Sequence, residues 1–224
     1  MTIRTAFAAL VLAILAMLPS SAATLGAQGH DPDVAARPAA APAPVGWNTR
    51  LDRANADRAT LAFSTMGGGM HVTGGPAAIF WNATNTANGA YTAEVTMTQM
   101  KAPTHAEAYG LIWGGRDLAG EGQEYFYFVI RKDGRYLVRH RAGAATHDVT
   151  PWTENAAIVK EGADGKARNT LRVEVTATGT KLYANGQLLQ ELPRLGMTAG
   201  TDGIVGFRVN HNLDVHVDGF AVRR

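Results

Sequence analysis

The chain has 224 residues, of which 46% are apolar and 18% charged, enough to bury one sizeable core and unlike the composition of a disordered protein. Lysine plus arginine number 21 against 19 acidic residues; the resulting formal charge of +2 excludes a nucleic-acid binder that relies on a broad basic surface. Zero cysteines exclude disulfides, thiolate metal sites and a cysteine nucleophile, and 25 glycines suit a turn-rich β protein.

In chain order, Arg4 precedes an unbroken apolar run from Ala6 to Leu18, then Pro19 and the small residues Ser21-Ala22-Ala23. This is the layout of a secretory signal peptide over residues 1–23, and the run is short for a membrane-spanning helix. The mature chain is therefore expected in the periplasm or outside the cell, with no integral membrane segment. Residues 24–45 are rich in Ala and Pro and show no apolar period, as in a tether. His30, Asp31 and Asp33 lie there and are read as solvated, because such a segment fixes no metal geometry. The folded domain is expected over residues 46–224.

A short helix is expected near Leu51 to Ala62, where Asp52, Asp57 and Arg58 would face water. The stretch Met66 to Pro76 packs five glycines around His71 and leads into Ala77 to Trp81, a strand by composition. A phosphate cradle would open a helix, so nucleotide binding is rejected and two adjacent hairpin turns are expected. A glycine-lined loop also lets backbone approach a ligand, which keeps His71, with His211, as an outlying candidate for a ligand site.

Period-two alternation dominates the rest. Tyr91, Ala93, Val95 and Met97 alternate with Thr92, Glu94, Thr96 and Thr98; Leu171, Val173 and Val175 alternate with Thr170, Arg172 and Glu174; Leu213, Val215 and Val217 enclose Asp214 and His216. Each is a half-buried strand, and many such strands with short turns make an all-β, two-sheet antiparallel sandwich of jelly-roll type. Asn185-Gly186 predicts a tight hairpin, since that pair tolerates positive φ.

The hairpin around Lys132-Asp133-Gly134 decides a face. A two-residue turn would set Arg139 and Arg141 beside Phe126, Phe128 and Ile130. A three-residue loop pairs Phe128 with Val138 and Tyr127 with Arg139, and keeps both arginines off the phenylalanine side. Burying arginines in a core is costly, so the second register is expected. The other face then carries Tyr125, Tyr127, Arg139 and Arg141, with Trp113 expected beside it on a neighbouring strand. Two readings of this face stand together: a sugar surface, where aromatic rings meet pyranose C–H faces and guanidinium forks meet hydroxyls or carboxylates, or a solvated sheet with ordinary Tyr–Arg packing.

Tyr109-Gly110-Leu111-Ile112-Trp113 and Tyr125 to Tyr136 resemble the middle of a concanavalin A-like lectin/glucanase jelly roll. Asn169-Thr170-Leu171-Arg172-Val173 with Leu182-Tyr183-Ala184-Asn185-Gly186 resembles a hairpin of laminin-G-like and 3-keto-disaccharide-hydrolase-type domains. Gly203 to Phe207 and Val215 to Phe220 resemble their closing strands. The resemblance spans residues 89–222 and implies three functions: carbohydrate or glycan binding without catalysis, glycoside hydrolysis or lysis of the 3-keto-disaccharide-hydrolase type, or a laminin-G-like protein-binding role. Laminin-G relatives often bind Ca²⁺ at a sandwich rim, so a structural Ca²⁺ is implied without assigned ligands; no other cofactor is expected.

No catalytic set matches residue by residue. The Glu-x-Asp-x-x-Glu of family-16 glucanases and a Gly-x-Ser-x-Gly are both absent. Asp214 and Asp218 share a strand face around His216, but roughly 13 Å along a strand is too far for a paired acid and nucleophile. Binding is therefore expected ahead of catalysis.

Overall fold

The computed structural model describes residues 43–224. The signal-peptide expectation and nearly all of the linker lie outside the described residues. Fourteen strands follow one another: β1 (Trp47–Leu51), β2 (Ala62–Met66), β3 (Gly69–Thr73), β4 (Ala78–Ala87), β5 (Tyr91–Gln99), β6 (Ala108–Arg116), β7 (Glu124–Arg131), β8 (Arg135–Ala142), β9 (Ala145–Glu154), β10 (Ala167–Val175), β11 (Gly179–Ala184), β12 (Gln187–Pro193), β13 (Gly203–Val209) and β14 (Asp214–Arg223). They form two seven-stranded antiparallel sheets, ordered β1-β4-β13-β6-β7-β8-β9 and β12-β11-β10-β5-β14-β3-β2. The all-β sandwich read from the alternation is the fold.

The core lies between the sheets because each strand offers one apolar row to it. Phe80 stacks on Phe207 at 4.9 Å and Trp113 on Phe126 at 5.3 Å from the first sheet. The second sheet answers with Val95, Met97, Leu171, Val173, Val215 and Val217, all buried. Each such side chain contributes roughly 1.5–3 kcal/mol relative to exposure.

Turn chemistry sets the registers. Lys132, Asp133 and Gly134 form the three-residue loop, Gly134 has φ +81°, and Phe128 pairs with Val138 and Tyr127 with Arg139. Asn185 and Gly186, at φ 51° and 82°, make the two-residue turn between β11 and β12. Buried Asn169 bonds both the N–H and the carbonyl of Val159, and Asn185 donates to its Oδ1 at 2.8 Å. The Asn-x-Leu-x-Val and Asn-Gly signature is thus a clamp on the segment before β10.

The helix expected over Leu51 to Ala62 is not formed. Leu51 closes β1 opposite Ala78, and only a 3₁₀ turn, Arg58–Thr60, follows, with Asp57 Oδ1 accepting from Ala59 N at 2.9 Å. Asp52 is held by a long-range partner described below, and the chain turns just after it, with Ala56 N donating to Arg53 O at 3.1 Å. Of the two hairpin turns expected in the glycine-rich stretch one is formed, at Gly67-Gly68 between β2 and β3; Gly74-Gly75 instead lies in the bend that carries the chain from β3 in the second sheet to β4 in the first.

Candidate functional site

The outward face of the first sheet is not a plain wet surface. Alternation along β7 and β8 does place Tyr125, Tyr127, Val129, Leu137, Arg139 and Arg141 on it, with Tyr127 opposite Arg139 and Tyr125 opposite Arg141. Yet Tyr125 is 1% exposed and Tyr127 7%, and both belong to a second apolar cluster with Ile79, Trp81, Ile112 and Leu118. The tyrosines are a covered floor, not exposed stacking platforms.

Two local structures cover them. The loop between β6 and β7 folds back and inserts Leu118, 3% exposed, into the cluster. Asp117, at φ +45°, closes the loop by accepting from Gly122 N at 3.1 Å. Arg50 on β1 donates from one guanidinium nitrogen to the carbonyls of Leu118 and Gly120, pinning the loop. The second cover is Arg208 on β13. Its guanidinium centre lies 5.0 Å from the Tyr127 ring, and its Nε donates to Asn210 Oδ1 at 2.9 Å. Its two terminal nitrogens grip Asp52 as a fork, one bond to Oδ1 at 2.7 Å and the other to Oδ2.

The Arg208 side chain is 8% exposed and that of Asp52 27%, so the pair is buried on the arginine side and partly open on the carboxylate side. Burial opposes the charge on Arg208, but the bonds and charge of Asp52 outweigh it and raise the guanidinium pKa further. Burial alone would raise the Asp52 carboxyl; the fork and charge of Arg208, helped by Arg141 and Arg50, hold it below its ordinary value. Both groups stay ionised, and burial pushes the Tyr125 phenol up, so it stays neutral.

Asp52 lines two cavities, and Arg208 the second of them. One, of about 430 Å³, lies between the end of β1 (Arg50, Asp52), the β6–β7 loop (Glu121, Gln123) and the β8–β9 turn (Arg141, Gly143). The other, of about 460 Å³, is lined by Arg53, Pro76, Asn210 and His211, again with Asp52, and by Arg208. Behind it, His211 Nδ1 meets Glu107 Oε1 at 3.2 Å. Burial raises Glu107, but the bonds from His211 and Asn210 and the charges of His211 and His105 dominate and lower its pKa.

The sequence-derived candidates scatter around this arrangement. Arg141 lines the first cavity and His211 the second. Arg139 shares their face but is paired with Asp148 on β9. Trp113 must be corrected: Tyr109, Leu111 and Trp113 alternate into the inter-sheet core, and Trp113 is opposite core-facing Phe126. His71 also belongs elsewhere, on the outward face of the second sheet, opposite His216 and 2.8 Å from Asp214. Asp218 meets His216 there at 3.0 Å. Sequence reasoning missed Arg50, Asp52 and Arg208. Arg208 carried a signal, since it sits between core residues Phe207 and Val209 and so must point outward. Among the described residues no group of three or more His, Asp or Glu side chains is placed to hold a metal ion.

No family model and no curated sequence matches the chain. Solved structures do. A carbohydrate binding module, CBM66, from Bacillus subtilis is similar at 11% identity and TM-score 0.59, covering 84% of this chain and 100% of its own. The carbohydrate recognition domain of Emp46p, metal-free, is similar at 11% and TM-score 0.54, covering 80% and 88%. A glycoside hydrolase family 16 endo-glucanase from Bacteroides ovatus is similar at 8% and TM-score 0.55, covering 79% and 94%. At these identities the likeness is one of fold: the chain is a concanavalin A-like jelly-roll sandwich.

Proposed function

We propose that the protein is an exported, non-catalytic carbohydrate-binding sandwich whose ligand occupies the two cavities beside the Asp52–Arg208 pair. The observation that carries this reading is the pair itself: a largely buried, two-bonded Asp–Arg fork on the outward side of a sheet, whose carboxylate residue lines two cavities. Their volumes fall within the size range of small-ligand sites. A buried ion pair is weak as a stabilising device, which favours a functional reason for keeping it. A fixed carboxylate with guanidinium groups around it suits the alternating donors and acceptors of sugar hydroxyls. The fold relatives whose names include carbohydrate binding or recognition support the ligand class.

Binding is favoured over cleavage by the state of the acids. A glycosidase needs one carboxyl raised so that it can protonate the leaving oxygen. Asp52, which lines both cavities, is pulled the other way, as is Glu107 behind the second. The endo-glucanase among the fold relatives keeps glycoside cleavage as the second reading. A glycan array and a hydrolysis screen on one sample separate the two. Array binding with no reducing ends released is the expected result; release that disappears in Asp52→Asn would replace it with the hydrolase reading. Export is tested by intact mass from an exporting bacterial host, with the mature N-terminus expected within a few residues of Thr24.

A further inference from the structure

The two cavities differ in charge from the chain as a whole. Overall the cations and anions nearly cancel, 21 against 19. The charged residues lining the cavities are Arg50, Arg53, Arg141 and Arg208 against Asp52 and Glu121. All four cations are arginines, the side chain whose planar fork matches a carboxylate or sulfate. The charge of Asp52 is already matched by Arg208, which donates to both of its oxygens. Glu121 is fully exposed and reaches Arg50 only at 4.0 Å.

Arg141 is the best placed of the four. Its Nε donates to Gly143 O at 2.7 Å, which fixes the plane of the guanidinium. Its outer edge makes only a 3.5 Å contact to Thr146 Oγ1 among the described residues. Arg50, which lines the same cavity, spends one nitrogen on the β6–β7 loop and keeps the other toward Glu121. Two guanidinium groups, each anchored on one side and open on the other, line a space of about 430 Å³. Among the described residues, no lysine or histidine lines it.

We propose that the cavity between Arg50 and Arg141 receives the acidic group of an anionic glycan, a uronate carboxylate or a sulfate ester, so that the ligand class is acidic rather than neutral polysaccharide. The inference rests on the glycan-binding reading above and narrows it. A neutral sugar would leave two cationic forks facing hydroxyls only, whereas a carboxylate or sulfate on them pairs opposite charges and can accept two parallel N–H bonds from one fork.

The test uses affinity electrophoresis of the full chain at low and moderate salt in four polymers: polygalacturonate, the same polymer fully methyl-esterified, dextran sulfate and a neutral β-glucan. Retardation by polygalacturonate but not its methyl ester is expected if the group is a carboxylate, and by dextran sulfate if it is a sulfate. Arg141→Gln is expected to weaken the retained interaction by about tenfold or more, and Arg141→Lys to restore it only in part, since an ammonium keeps charge without the fork. Arg172→Gln, on the outward face of the second sheet, is expected to change it little. Equal retardation by the methyl ester or the neutral glucan overturns the acidic class and leaves glycan binding standing. Equal losses in Arg141→Gln and Arg172→Gln overturn it too, as unspecific charge attraction. No retardation by any polymer, with a native melting curve, overturns both readings.

Discussion

The outward faces of the two sheets come from the same sequence rule and end in different places. Both are made by every second residue of alternating strands. On the second sheet that row is polar and partly open: Thr96 and Thr170 share a 2.8 Å hydroxyl contact, Arg172 lies 3.8 Å over Tyr183, and His71 and His216 each meet an aspartate. On the first sheet the row is apolar and closed, with Ile79, Ile112, Val129 and Leu137 buried under Leu118 and the arginines. Alternation states which residues share a face; how the neighbouring loop folds back, and what pins it there, decides whether that face is wet. The first sheet is therefore covered on both sides, and its cover carries the charged residues.

The comparison breaks most visibly at the paired positions of β7. Phe128 fills the inter-sheet core and Tyr127 the covered outer cluster. Phe128→Ala is expected to cost about 3–5 kcal/mol and Tyr127→Ala nearly as much, because both leave a cavity. Chemical denaturation measures both. A harmless Tyr127→Ala would show that the outer cluster is solvated and that the two faces are alike after all.

The buried pair gives the next effect. Arg208→Ala leaves Asp52 without its fork and is expected to cost about 3–5 kcal/mol, whereas replacing both partners, Asp52→Asn with Arg208→Met, is expected to recover much of that. The double-mutant cycle reads the coupling. Additive losses would mean that the two residues are independent and that the cavities are not organised by the pair.

What is legible in the sequence divides along the same line. Strand alternation, the Gly134 loop and the Asn185-Gly186 turn are local, so fold, hairpin register and the shared face of Tyr127 and Arg139 are all readable from the residues alone. Burial of Tyr125 and Tyr127 is not, because it depends on how the β6–β7 loop folds back to insert Leu118, and on Arg50 and Arg208, which are remote in sequence and reach the cluster only by tertiary folding. The residues around Asp52 read as a wet helix, since nothing local announces a partner 156 positions away. Trp113 is hard to place for a different reason. The alternation of β6 contains the answer, but its strong apolarity on both faces hides the period of a strand covered on two sides.

A pH series sharpens the role of Asp52. Its folded pKa lies below the ordinary 3.8, so the stability it supplies is complete above the unfolded value and is lost as pH falls through the folded one. Wild type is expected to exceed Asp52→Asn at neutral pH, and the two curves to converge as the medium is acidified below about pH 4. Curves that stay parallel would mean that the carboxylate charge contributes nothing and that only its hydrogen-bond geometry counts.

The smallest effect belongs to the second sheet. Arg172 rests over the Tyr183 ring and reaches Glu174 only at 4.0 Å, with its side chain about a third exposed. A cation–π contact at such a site contributes about 0.5–1 kcal/mol, and cross-strand pairs on an open face fall in the same range. Arg172→Ala and Tyr183→Ala are therefore expected to cost about 1 kcal/mol each, with a coupling no larger than either, and to leave glycan binding unchanged. Arg208 differs from Arg172 in its surroundings: it sits over Tyr127 in a similar cation–ring contact but is buried and also holds a carboxylate. The same two residue types thus do different work according to what lies above them. A coupling of several kcal/mol at Arg172, or a loss of glycan binding there, would make the second face the more organised one and move the search for the ligand to it.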